Sequence, residues 1–388
     1  MKSERPTAPE QMKLPEIDYR HLLTMTDDTG MLQHAKYTVP DRDHGYCIDD
    51  NARALIVACG GLRLRSSSEV EKRVPVYLSF LMHAFNRPFG RFRNFMSYDR
   101  QWLEETGSED SHGRTIWALG VASESAPLPS QRELAIRLLE EAIPAIDAFS
   151  SPRAWAYTIF GIDRYLDCRR TDFAAYRLLT VLAERLYMQF TCNGQENWPW
   201  CEDSLTYANA KLPMALMLAG NRLRDTEMVN VALRALDWVV GLQRTPQGHL
   251  SLIGNNGWYS RGGERARFDQ QPIDAMALVL ACSSAYRITG EPRWHENALA
   301  ALGWFLGRND VGMALFDPSS GGCCDGLHPF GVNANQGAES TLAWLLARIR
   351  CDELLRETPG TAIVGSMSAW NVEGGKLPQG MGAERSSF

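Results

Sequence analysis

The chain has 388 residues, 45% hydrophobic and 22% charged, with a formal net charge of −6. This is ordinary globular composition, long enough to bury a large core without disulfide or metal staples. The negative balance argues against a nucleic-acid partner, which needs a cationic face, and no run of 18 apolar residues supplies a membrane span.

In chain order the helical signals alternate between two kinds. An amphipathic segment at 18–27 precedes 49–62 (DDNARALIVACGGL), which opens on polar residues and then turns small or apolar on nearly every side. The alternation continues with amphipathic 68–86 before 109–122, 131–148 before 152–166, and 172–190 before 202–219. It closes with 226–243 before 269–287, and 293–307 before 335–350. The amphipathic members carry apolar residues at three- and four-residue spacing, with charges opposite. A helix apolar on nearly all sides is a buried helix. Six buried helices alternating with six amphipathic ones predict an all-α (α/α)6 toroid, inner ring on outer ring. An open solenoid would show a tighter repeat period and no polar clusters gathered at one end of alternate helices.

The toroid is expected over 16–352, with an N-terminal extension at 1–15 and a loosely ordered tail at 353–388. Three long segments, 88–108, 249–268 and 308–334, each precede an inner helix and are expected over one mouth of the ring. The nine cysteines are scattered without a CxxC pair, and the opening stretch lacks an apolar h-region. Reduced thiols and a cytoplasmic location are therefore expected. The absence of HxxxH, HExxH, P-loop and dinucleotide fingerprints leaves no metal or cofactor in the expectation.

Five inner helices begin on clusters that exceed what capping needs. The first is Asp49, Asp50 and Arg53; the second is Glu109, Asp110, His112 and Arg114. The third joins Trp198 and Trp200 to Glu202, Asp203, Tyr207, Asn209 and Lys211, with Pro213 as a possible kink. Flat indoles beside carboxylates suit a saccharide pocket. The fourth is Asp269, Gln270, Gln271 and Asp274, preceded by Trp258 and Arg261; the fifth is Asp325, Asn333, Asn335, Gln336 and Glu339. Amides suit a neutral polyhydroxylated ligand. The third inner helix starts with Arg153, Trp155 and Tyr157 and is expected to form a wall. Burying so many polar groups without partners is costly, and a wet pocket for a polar ligand removes that cost.

The stretches HAKYTVPDRDHGYCIDDNARAL, SEDSHGRTIWALG, EDSLTYANAKLP, GWYSRGGERARFDQQPIDA and GVNANQGAESTLAWLLA span most of 31–350. With them the chain resembles the six-hairpin glycosidase-type (α/α)6 proteins, and bacterial sugar-active proteins associated with glycosyltransferases. The resemblance implies the toroid and sugar-related chemistry, with an oligosaccharide or small sugar as partner. It implies no particular catalytic pair.

The leading expectation is a glycoside hydrolase, inverting, with two carboxylates about 6.5–9.5 Å apart. In a six-membered ring, helix one faces four and helix two faces five. That sets Asp50 opposite Asp203, and Asp110 opposite Asp269. Asp110 is the candidate acid, Asp269 the candidate base and Asp203 its substitute. The alternatives are an epimerase or isomerase using His44, His112 or His328, a lyase on a uronate held by arginines, and a saccharide-binding module working with a glycosyltransferase.

Overall fold

Thirteen helices follow one another through residues 14–357, which the computed structural model describes. They are α1 (Arg20–Thr24), α2 (Ile48–Leu64), α3 (Ser68–Glu71), α4 (Val74–Ala84), α5 (Glu109–Ser125), α6 (Pro129–Ala142) and α7 (Pro152–Cys168). After these come α8 (Phe173–Asn193), α9 (Lys211–Leu223), α10 (Thr226–Gln243), α11 (Pro272–Thr289), α12 (Pro292–Phe305) and α13 (Ala338–Glu357). The expected extension before residue 14 and the expected tail from 358 lie outside the described residues.

Six of these helices bury nearly every face, as their composition requires. They pack in sequence, α2 on α5, α5 on α7, α7 on α9, α9 on α11 and α11 on α13, and α13 returns to α2. That last contact closes the ring and rules out an open solenoid. The amphipathic helices cover it from outside: α4 on α2, α6 on α5, α8 on α7, α10 on α9, α12 on α11 and the short α1 on α13. The fold is the (α/α)6 toroid.

The inner ring is tightest between α5 and α7. A Cβ on Gly120 would collide with the Gly161 carbonyl, and one on Gly161 with that of Ile116. These glycines let the two backbones touch. Helix starts are set locally. Ser108, Ser151, Asp172 and Asp225 accept backbone N–H bonds at the first turns of α5, α7, α8 and α10.

Proline and local hydrogen bonds explain where the elements depart from expectation. The segment 68–86 breaks into α3 and α4 because Pro75 starts a new first turn. After Ala142 the chain tightens into a 3-10 turn, Ile143–Ala148, that contains Pro144. The fourth inner helix begins at Lys211, not 202, because Asn209 closes a turn on Thr206, accepting from its N–H at 2.9 Å and donating to its carbonyl at 2.7 Å. Pro213 therefore falls in the first turn of α9, where no helical bond is lost and no kink follows. The last inner helix runs on to Glu357.

Every short β pairing among the described residues lies in a connection from an outer helix to the next inner one. The largest is a three-stranded antiparallel sheet of Leu32–Lys36, Val39–Cys47 and Phe95–Met96. All nine cysteines are free. Among the described residues no helix is long and apolar enough to cross a membrane.

Candidate functional site

The first turns of four inner helices, with the loops before them, enclose a pocket of about 330 Å³. Asp49 and Arg53 come from α2, and Asp110 and Arg114 from α5. Ile273 comes from α11 with Gln271 just before it, and Glu339 from α13. Tyr207 precedes α9, and Ser108, Asn255 and Trp258 come from the long connections.

The two arginines are almost fully buried and each is held by carboxylates. Arg114 is paired with Asp49, donates to the Tyr157 hydroxyl at 3.2 Å and lies 4.6 Å from the Tyr157 ring centre. Arg53 donates to Asp50 at 3.0 Å and to Glu339 at 2.8 Å. Such pairing is what permits guanidinium groups at this depth. Asp110 accepts from the hydroxyls of Ser151 and Tyr207, so its carboxylate is fixed from two sides.

Other carboxyls behind the pocket wall are shifted toward the neutral form by burial. Asp50 is pushed up to about 6, opposed by Arg53. Asp274, in the first turn of α11 next to Ile273, is pushed up to about 7, opposed by the backbone N–H groups of Ala208 and Asn209. Its Oδ2 has no hydrogen-bond partner. Asp325 reaches about 7 by burial, opposed by Ser340 and by the Gly337 N–H at 2.8 Å.

Several residues expected in the pocket build its surroundings instead. His112 is buried between the rings of Phe92 and Phe149, with a ring nitrogen 3.1 Å from the Ala142 carbonyl, and burial lowers it to about 3. Trp198 and Trp200 are core indoles against Trp238, so neither offers a stacking face. Lys211 is fully buried with its ammonium 4.2 Å from the Trp117 ring centre, and burial pushes it well down. Glu109 accepts from the N–H groups of Ser150 and Ser151, orienting the start of α7. Glu202 takes Arg153 with both oxygens at 3.0 Å. Asn209 serves its turn. Gln270 is buried, with Oε1 accepting from Trp304 at 2.8 Å.

Asn335 accepts from the Tyr37 N–H at 2.9 Å, and Gln336 donates to Asp317 at 2.9 Å, so both tie loops together. Asp203 is outside the pocket: its side chain is 93% exposed and pairs with Arg261 at 3.4 Å. Asp269 does not line it either; it is paired with the half-exposed His328. Four residues at the site fall outside the sequence-based expectations: Ser108, Ser151, Asn255 and Ile273. Ser108 and Ser151 each sit just before an inner helix, a cap position that is legible in the sequence. Asn255 lies in the segment 249–268 expected over the mouth.

Among the described residues six non-glycine residues have positive φ: Tyr37, Arg100, Ala208, Arg224, Trp258 and Asp269. All but Arg224, which terminates α9, sit in connections on the pocket side. Backbone strain of this kind concentrates at functional sites. Among the described residues no group of three His, Cys, Asp or Glu is arranged to hold a metal ion.

The fold belongs to the class seen in solved six-hairpin glycosidase-type toroids. A sugar epimerase from a ruminal bacterium superposes with a TM-score of 0.69 at 11% identity, covering 88% of this chain and 95% of that one. A D-mannose isomerase gives 0.67 at 12% identity, over 87% and 95%. A GH76 α-mannanase from Bacteroides thetaiotaomicron gives 0.58 at 12%, over 82% and 89%. At such identities the likeness is one of fold. None of the three is a glycosyltransferase. No family model matches the sequence, and no curated protein matches it.

Proposed function

We propose that the chain is a carbohydrate-active enzyme whose mouth pocket binds a neutral sugar unit and hydrolyses its glycosidic bond. The observation that carries this reading is the pocket itself: three carboxylates, two arginines already paired, and one indole around about 330 Å³. The pocket is near the lower end of small-ligand sites, about 300–1,000 Å³. Because Arg53 and Arg114 are already neutralised by Asp50, Glu339 and Asp49, the site favours uncharged hydroxyls over a uronate, and so hydrolysis over elimination.

Ring order places α5 opposite α11. Asp110, held by two hydroxyl donors, serves as the base that takes a proton from the attacking water. Asp274 on the facing helix stands next to the pocket-lining Ile273 and holds a proton near neutral pH; it is assigned as the acid, a role that requires the leaving oxygen to come within hydrogen-bond reach of its unpartnered Oδ2. In this reading the base role expected of Asp269, with Asp203 as its substitute, passes to Asp110, and the acid role expected of Asp110 passes to Asp274. Trp258 offers an apolar plane to a sugar face.

A second reading is epimerisation, favoured by the pairing of His328 with Asp269. A carboxylate that fixes one imidazole nitrogen leaves the other available for proton transfer. Fold likeness to a sugar epimerase and a mannose isomerase fits it as well. One assay separates the readings. With α- and β-linked neutral oligosaccharides, hydrolysis produces new reducing ends, and Asp110→Asn slows their appearance about 10³-fold while Asp203→Asn does not. Epimerisation changes the sugar at constant reducing-end count and is lost in His328→Gln. A full rate in Asp110→Asn would remove the hydrolase assignment.

A further inference from the structure

We infer that the pocket continues outward onto an aromatic rim formed by Tyr37 and Phe330, which binds further units of a saccharide chain whose end occupies the pocket. This rests on the reading of the pocket as a sugar site.

Two hairpin tips make the rim. In the first, Lys36 pairs with Val39, so Tyr37 and Thr38 form the turn. Tyr37 is in the left-handed region at φ +54 and is 68% exposed. A two-residue hairpin turn ordinarily places Asn or Gly at such a position, because a bulky side chain is strained there. The turn therefore holds an aromatic ring in water in a backbone state that disfavours it. In the second hairpin, Gly326–His328 pairs with Gly331–Asn333, and Phe330 at its turn is 98% exposed.

Both tips are rooted on segments that border the pocket. Tyr37 is bound on both sides, its N–H to Asn335 Oδ1 and its carbonyl to the Gln336 N–H, each at 2.9 Å. Gln336 lies three residues before Glu339 in the pocket wall. At the base of the second hairpin, Leu327 exchanges backbone bonds with Gln270 at 2.9 and 3.1 Å, next to Gln271 in the same wall. Inside the pocket, Trp258 repeats the device: another aromatic residue held at φ +54. Single exposed apolar side chains are common on any surface. Two aromatic residues forced into left-handed backbone, Trp258 lining the pocket and Tyr37 on a tip bound to the Asn335–Gln336 segment, together with the exposed Phe330 ring on the hairpin that leads into that segment, suit a ligand with repeated apolar faces. The C–H faces of pyranose rings are such faces.

The test compares saccharide length. Mannose and its α-1,6-linked oligomers, and glucose with the cello-oligomers, each from one to four units, are titrated calorimetrically into the whole protein. For the series that binds, affinity is expected to rise with length. Tyr37→Asn, which relieves the strained turn, and Phe330→Ser are each expected to lower affinity for the four-unit sugar about 3- to 10-fold while leaving the single sugar unchanged. Phe173→Ser, at an exposed position on the outer helix α8, is the control expected to change neither. Bound monosaccharide with a flat length series overturns the rim and leaves the pocket standing. No binding of any length in either series overturns both. If the wild-type chain sediments as a dimer, and the variants as monomers with the length series intact, the rim is an interface between copies and the inference falls.

Discussion

The two ends of the inner ring carry similar charges and differ in almost everything else. Inner helices pass to outer ones at one end through 65–67, 126–128, 169–172, 224–225 and 290–291, only two to four residues each. At the other end, 25–47, 85–108, 194–210, 244–271 and 306–337 make long excursions with all the short β pairings of the described residues. The short-connection end has its own small cavity of about 70 Å³, bordered by Arg63, Arg164, Arg350, Glu124 and Glu353. There Arg63 and Arg164 meet Glu124 at 3.4 and 3.3 Å, and Arg350 meets Glu353 at 3.0 Å. Arginines near helix C-termini and carboxylates near helix N-termini are both what the helix dipole favours. Charge at a helix end is therefore no sign of function by itself. The pocket end is distinguished by five of the six strained residues, by the unpartnered Oδ2 of Asp274, and by three carboxyls, Asp50, Asp274 and Asp325, raised to about 6–7, whereas at the other end the raised Asp163 is paired with Arg222.

Paired substitutions at the two ends test that distinction. Asp110→Asn is expected to lower turnover about 10³-fold with the fold retained, the usual range for a lost acid–base group. Glu124→Gln, the matching change at the far end, is expected to leave turnover within about twofold, since Glu124 only bridges two partly exposed arginines. Comparable losses in both would erase the contrast. Next in size is stability. Arg114→Met leaves Asp49 without its partner and is expected to cost about 2–4 kcal/mol in urea unfolding, reduced from the fully buried case because Asp49 is 21% exposed. Arg63→Met, at a side chain 52% exposed, is expected to cost less than about 1 kcal/mol.

The ring was legible because its signal is long and repeated. Buried helices such as α11 have no polar face to confuse the pattern, and Pro272 marks its start. The polar clusters located the pocket end but did not sort residues within it. Asp49, Asp110 and Glu339 reach the pocket, yet Asp203, three residues after the core indole Trp200, does not.

The 198–211 stretch misled because the sequence reads the same whether 202–210 is helix or loop. The Asn209 turn moves the helix start to Lys211, which turns both indoles inward and leaves Asp203 in water. His112 and Lys211 were unreadable for a related reason. A buried, satisfied histidine and a pocket histidine differ only in which groups the fold brings around them, and Phe92 and Phe149 are distant in sequence. Lys211 likewise meets Trp117, which comes from another inner helix.

The smallest stability effect expected at the pocket end is also the one that joins stability to function there. Asp274 has a folded-state pKa of about 7, above the roughly 3.9 of an unfolded aspartate. The folded protein therefore binds the extra proton between those values. The stability this contributes is fully present below about pH 4 and is lost as pH rises through about 7. The gap of about three units sets an upper bound of about 4 kcal/mol, and relaxation around the group brings the expectation to about 2 kcal/mol. Asp274→Asn, neutral at every pH, should match the wild type near pH 4 and exceed it by about that amount near pH 8 in urea unfolding. His112 acts in the opposite sense, losing stability as pH falls from about 6.5 toward 3, but it is common to both chains and cancels in the difference. If Asp274 is the acid, the same variant is more stable near pH 8 and yet turns over at least about 100-fold more slowly. A variant that gains stability and keeps its rate would leave Asp274 as a buried carboxyl without a catalytic part.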